Sequence, residues 1–195
     1  YAALLVGSLA LNVYLYDRAT DAEEYAESSA GIVAAASKAL SLQAVVEGEL
    51  RTRMEREGVE RGKAIRYASA FTDAAVTTRL DPFLIQSVAR VESRYQAAVV
   101  HPASGARCMM QVMALWKGAL PEYQSTEDLG GPEKCIMTGA RILAGYRDES
   151  GGNIRIALWK YFLGPGGLAE IRALDLQPED LHTYVPAVRV AYARF

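Results

Sequence analysis

The chain has 195 residues and a net charge of −2, from 21 Lys and Arg against 23 Asp and Glu. With no basic stripe, that balance argues against a nucleic-acid partner. Apolar residues make up 51% and charged residues 23%, which excludes a disordered chain and suffices for one buried core with an appendage. Two cysteines, Cys108 and Cys135, and two histidines, His101 and His182, exclude a disulfide-dense scaffold, a four-Cys zinc site and a histidine-rich metal centre. No metal or cofactor is expected, and the cysteines allow one bridge at most.

In chain order, residues 1–16 come first, YAALLVGSLALNVYLY, without a charge. As a helix they reach about 24 Å at 1.5 Å per residue, slightly short of the roughly 20 residues of a full membrane span. The chain begins at Tyr1 with no initiator Met, so the span is expected to be completed upstream. Tyr14 and Tyr16, just before Asp17 and Arg18, suit an aromatic belt at the membrane surface. A buried core helix or a signal-peptide segment would read the same way. Lys and Arg are scarce after the span, which places the C-terminal bulk outside the cytoplasm. The expected location is therefore a bacterial inner membrane, crossed once, with the C-terminal domain in the periplasm.

Residues 17–77 contain no proline and favour helix. Apolar positions Ile32, Val33, Ala36, Leu40, Val45, Val46, Leu50 and Met54 recur every three to four residues. A helical stalk or collar is expected here, broken at Gly58 and Gly62, with a second helix from Lys63 to Thr78. Further on, Asp81-Pro82 is an N-cap followed by proline in the first helical position, a helix start. Phe83, Leu84, Ser87, Val88 and Val91 give that helix one buried face up to Glu92. Gly- and Pro-rich punctuation then sets off helices at 136–149, 154–162 and 184–194, with one short irregular ribbon at 101–112.

Glu92 is the first candidate for chemistry. It falls at the C-terminal end of the helix opened by Pro82, where free carbonyls disfavour a negative charge. A carboxyl group held there against Val88, Val91 and a Met-rich segment has a raised pKa, suited to a general acid near neutral pH.

Glu92-Ser93 heads an ordered set of short motifs. Gly105-Ala106-Arg107-Cys108-Met109-Met110-Gln111 follows, then Pro132-Glu133-Lys134-Cys135-Ile136 leading into Gly139-Ala140-Arg141. Ala157 to Gly166, ALWKYFLGPG, and Tyr184-Val185-Pro186 complete it. The set resembles the soluble lytic transglycosylase family, whose mainly α-helical, lysozyme-like fold is shared with goose-type lysozymes. The resemblance covers residues 78–195 and leaves 1–77 unexplained. Together with the readings of the preceding segments, three parts are expected: a transmembrane anchor at 1–16, a collar at 17–77 and a lytic transglycosylase-like domain at 78–195.

By that resemblance Glu92 is the sole catalytic acid and base, with Ser93 its motif neighbour. It protonates the glycosidic oxygen between N-acetylmuramic acid and N-acetylglucosamine, then takes the proton of the muramoyl 6-hydroxyl as that oxygen closes on the anomeric carbon. The product end is a 1,6-anhydro sugar. Ordinary glycosidases need a second carboxylate, and here Glu122, Glu127 and Asp128 stand in an expected exposed loop. Met110 and Gln111 match a pair that lines the sugar cleft, Tyr161 matches the tyrosine of the third motif, and Tyr184 matches the tyrosine that orients the acid.

The chain departs from the family pattern at three places. Cys108 replaces a close-approach glycine, so a side chain is expected to project there. Phe162 and Leu163 replace an Asn and an Ala, removing a polar contact to sugar and adding bulk that is expected to narrow or cap the cleft. In the family's fold the segments bearing Cys108 and Cys135 pack together, which implies a disulfide between them. Two functions follow from these readings. One is a membrane-anchored transglycosylase acting on peptidoglycan glycan strands. The other is a catalytically degenerate module serving as a structural subunit. Either is compatible with integral-membrane subunits of a larger complex as partners.

Overall fold

The structure, a computed structural model, describes the backbone of residues 2–193 and the side chains of residues 28–193, apart from those of Thr126, Pro165 and Asp180. The side chains of the expected span at 1–16 lie outside the described residues. Among the described residues there are seven α-helices: α1 (Ala2–Arg56), α2 (Arg61–Thr78), α3 (Pro82–Ser93), α4 (Pro132–Glu149), α5 (Ile154–Ala173), α6 (Pro178–Leu181) and α7 (Tyr184–Ala193). Among the described residues no strand forms. The expected ribbon consists of isolated antiparallel bridges, Val100 with Arg107 and Arg107 with Val112.

The chain divides into two compact units, Tyr1–Val45 and Val46–Phe195. In the first, Ile32, Val33, Leu40, Leu42 and Val45 are all exposed. Over Ser28–Arg56, α1 is long and apolar enough to cross a membrane, by length and composition alone. That stretch lies downstream of the span expected at 1–16, within the segment read as stalk.

The second unit begins well before residue 78. Leu50 and Met54, near the end of α1, are completely buried, and the Gln86 side-chain amide donates to the Leu50 carbonyl at 2.7 Å. The Arg53 guanidinium sits 4.1 Å over the Phe83 ring, and Glu57 forms an ion pair with Arg90. From Val46 onward, the residues read as collar lie in the second compact unit and contribute to its core. Gly58, at φ 86°, turns the chain out of α1. Gly62 does not break a helix, because it lies in the first turn of α2, where the Glu60 carboxylate accepts from its backbone N–H at 2.7 Å.

Helix α4 packs against both α2 and α5, and α3 against both α2 and α7. Phe71, Ile85, Val88, Met109, Met110, Ile136, Leu143 and Val188 fill the space between them, each almost wholly buried. Asp81 caps α3 as expected, accepting from Phe83 N–H at 2.8 Å. Helix α4 starts four residues earlier than expected, because Pro132 itself occupies its first turn. Helix α5 continues past Phe162 with one break at Gly164, whose φ 72° and ψ 162° suit glycine.

One contact fixes the loop before α4. An ideal Cβ at Gly139 would lie 2.6 Å from Met110 Cβ and 2.8 Å from its Cγ. Both are near the backbone and cannot swing aside, so the loop seats on α4 only because Gly139 lacks a side chain. Gly139→Ala is expected to destabilise the second unit by about 1–3 kcal/mol, measured as a lower urea midpoint with unchanged slope.

Candidate active site

Helix α3 ends at Ser93, with Arg94 in the left-handed region at φ 54° donating its N–H to Arg90 O. Glu92 is therefore in the last turn, and Ser93 points the other way, into the core. The Ser93 hydroxyl donates to Met109 O at 2.9 Å and accepts from Gln96 N–H at 3.1 Å. It ties the end of α3 to the turn at Cys108–Gln111. Ser93 is buried and is not on a cleft wall.

That turn is held from two further sides and by a bond within itself. Cys108 is bonded to Cys135 on α4, with their α-carbons 6.1 Å apart. Tyr161 on α5 donates its hydroxyl to Met110 O at 2.7 Å. The Gln111 side-chain amide donates back to Cys108 O at 2.9 Å. Cys108 and Gln111 both adopt positive φ, 62° and 50°.

A cleft of about 660 Å³ opens between the ribbon, the turn, α4 and α5, within the usual size of a ligand site. Glu92, Gln111, Tyr161, Phe162 and Leu163 line it. Met110 does not: it is completely buried beneath Gly139, so of the expected Met110-Gln111 pair Gln111 alone reaches the cleft. Cys108, 2% exposed and turned toward α4, adds no bulk to the cleft. Tyr184 also lies behind the wall, 6% exposed. Its hydroxyl donates to Glu92 Oε1 at 2.6 Å.

Burial pushes the Glu92 carboxyl up to about 7, against a smaller lowering by the Tyr184 hydrogen bond. A group balanced there offers a proton and can take one back at near-neutral pH. Burial, together with the Glu92 charge, also holds the Tyr161 and Tyr184 phenols well above their ordinary range. Both therefore remain hydrogen-bond donors.

Two acids of the 120s segment are committed elsewhere. Glu122 pairs with Arg141 at 2.9 Å. Asp128 caps the 3₁₀ turn at Thr126–Gly130, where the Lys134 ammonium and the Ser125 and Gln124 N–H groups hold its carboxyl down at about 2. The carboxylate that does share the cleft is Glu149, paired with Lys160 at 3.1 Å and well exposed. Glu149, His101, Trp116 and Tyr146 line the cleft without any sequence motif marking them. They come together only because α4 and the ribbon face each other. No cluster of three or more metal-ligating side chains exists among the described residues.

A family model described as the transglycosylase SLT domain matches residues 69–180. The chain belongs to that family. Solved structures share the fold of the SLT domain. One is the 70 kDa soluble lytic transglycosylase of Escherichia coli, 21% identical with a TM-score of 0.57 over 77% of this chain and 29% of that one. Another is an inactive mutant of the lytic transglycosylase Slt of Pseudomonas aeruginosa, 23% identical with a TM-score of 0.53 over 64% and 23%. At such identities the likeness is one of fold, and this chain spans under a third of the length of either. The family match begins at 69, inside α2, upstream of the expected 78.

Ionising a carboxyl group out of water opposes folding. The folded-state pKa of Glu92 is raised, so its favourable contribution is complete at low pH and is lost as pH rises through about 7. Glu92→Gln is expected to leave the thermal melt nearly unchanged at pH 5 and to gain stability over wild type at pH 8, on the order of 1–3 kcal/mol. A pH series of melts for both proteins measures this.

Proposed function

We propose that this SLT-family chain is a membrane-anchored lytic transglycosylase acting on peptidoglycan glycan strands. The observation that carries the reading is Glu92, a near-neutral carboxyl group on the cleft wall with a tyrosine behind it. In the proposed reaction the Glu92 acid gives its proton to the glycosidic oxygen as the anomeric C–O bond breaks. The resulting carboxylate takes the proton of the muramoyl 6-hydroxyl while that oxygen bonds to the anomeric carbon. Glu92 ends protonated, no water is consumed, and the strand ends in a 1,6-anhydro ring. One carboxyl group that serves both steps needs a pKa near the working pH. Gln111 and Tyr161 on the facing walls bind the sugar, and Ser93 sets the distance between the turn and the acid.

Glu92→Gln in the full chain, in mild detergent, is expected to abolish release of anhydromuropeptides detected by mass spectrometry. Wild-type release is expected to fall as pH rises through about 7, where the acid loses its proton. Undiminished release by the variant removes Glu92 from the mechanism. The degenerate-subunit reading draws on Phe162 and Leu163, apolar groups in the cleft wall, and takes over if wild type releases nothing.

The anchor is proposed on α1, with the second unit in the periplasm of a bacterial inner membrane and integral-membrane subunits as partners. Exposed aliphatic side chains from Ile32 to Val45 support it, as does the uncharged stretch 1–16. The full chain is expected to stay with membranes through a high-salt wash and to leave them in detergent. Release by salt alone shows a peripheral attachment instead.

A further inference from the structure

Phe162 stands where the sequence suggested an obstruction, and the geometry around it points to another role. Its ring lies parallel to that of Tyr184, with 4.6 Å between centroids and 11° between planes. Tyr184 is buried and off the cleft wall, whereas Phe162 is 44% exposed and lines the cleft. Phe162 therefore covers the cleft side of the tyrosine that hydrogen-bonds Glu92. The cover is braced. The His182 ring meets Phe162 edge-on at 5.3 Å. Trp159 stands 6.4 Å from both rings, its indole N–H donating to Glu179 Oε1 at 3.0 Å. Two residues on, the break at Gly164 ends the straight part of α5, so Phe162 sits on its last rigid turn.

We propose that Phe162 is a positioning residue for the SLT reaction, acting through Tyr184: it shields the Tyr184–Glu92 hydrogen bond from cleft water and holds the phenol against the acid. Offset and parallel aromatic stacks restrict a ring and exclude solvent from its face. A hydrogen bond between a phenol and a carboxyl group is stronger and better aligned when water cannot compete. An asparagine in this place offers a polar group to the sugar but leaves Tyr184 open to the cleft.

The proposal rests on the reading of Glu92 as the acid, yet its test has a readout that does not depend on activity. Titratable groups that hydrogen-bond the carboxyl or share its cleft are Tyr184 from α7, Tyr161 from α5, Tyr146 and Glu149 from α4 and His101 from the ribbon. His182 packs on Phe162. None of these is altered in the test variants.

The full chain, labelled with ¹³C at glutamate carboxyls and held in mild detergent, is titrated by NMR. The Glu92 signal is the one missing from Glu92→Gln. Burial raises the pKa of this group and is the larger influence, while the Tyr184 hydrogen bond lowers it, so admitting water lowers the midpoint by more than the weakened hydrogen bond raises it. Phe162→Ala is expected to move the midpoint down by about one pH unit or more, and Phe162→Leu, which keeps apolar bulk without the stack, in the same direction. Phe162→Tyr, which restores the ring, is expected to recover the wild-type value. Where anhydromuropeptide release is measurable, Phe162→Ala should lower the rate about fivefold or more at pH 7 and much less at pH 5, following the protonated fraction of the acid.

An unmoved or raised midpoint in both Phe162→Ala and Phe162→Leu overturns the proposal. So does a gain in release at pH 7 from Phe162→Asn with Leu163→Ala, which would show that Phe162 merely obstructs. A lowered midpoint in a chain whose wild type releases no anhydro ends keeps this inference and removes the enzymatic reading instead.

Discussion

The seat of Met110 on Gly139 is the constraint from which the rest of the site follows. A side chain seated where a Cβ of residue 139 would otherwise stand fixes the turn at Cys108–Gln111 against α4. The same turn is tied to α3 through Ser93, to α5 through Tyr161 and to α4 again through Cys135. Ser93 follows Glu92 directly, so the position of the turn and that of the carboxyl group are one geometric fact. Three helices that could slide independently are locked around a four-residue turn, and the cleft is the space they leave. Interiors packed at crystal density transmit such constraints with little loss.

Electrostatics set Asp128, whose carboxyl is held well down, apart from Glu92, whose carboxyl is held near neutrality. Asp128 is surrounded by N–H groups and an ammonium, while Glu122 and Glu149 are in ion pairs with Arg141 and Lys160. Glu92 has a phenol and an apolar wall. The difference is one of partners, because a carboxyl that gains charged donors on folding becomes a stronger acid and one that only loses water becomes a weaker one. Glu149 is in the same cleft, but its pairing with Lys160 and its exposure keep it a surface ion pair rather than a second reacting carboxylate.

Where local chemistry decides an element, the residues alone reveal it. Asp81-Pro82 declares the start of α3, and twelve residues of helix carry Glu92 to its end. The division between collar and core was not legible, since Leu50 and Met54 continue the same three-to-four spacing as the exposed Ile32, Val33 and Leu40. Periodicity names a face, and only the partner helix shows where that face becomes buried. Glycines misled in both directions. Gly62 looks like a break and lies inside α2, while of the cluster at Gly164–Gly167 only Gly164 leaves helical geometry. The family resemblance places Met110 in the cleft together with Gln111. Side chains of adjacent residues in a tight turn diverge, and one of the pair went to the core. Glu149 and His101 had no local signal at all, because their place in the cleft is a product of packing between distant segments.

Cys108 shows how a departure from a family pattern can leave its geometry standing. The position needs φ 62°, a region that costs a residue with a side chain roughly 1–2 kcal/mol relative to glycine. The bridge to Cys135 closes a 27-residue separation, and in the chain-entropy model such a loop contributes about 3–4 kcal/mol. The bond therefore offsets the backbone penalty, and the residue that incurs the penalty is the one that makes the bond. Its Cβ, which would have crowded a sugar if turned toward the cleft, is drawn to α4 instead. The altered residues thus act on different parts of the site. Cys108 preserves the turn that holds Gln111, while Phe162 and Leu163 change the cleft wall. Of the three altered positions, then, only the two on α5 line the cleft, and the one at the turn is spent on holding it.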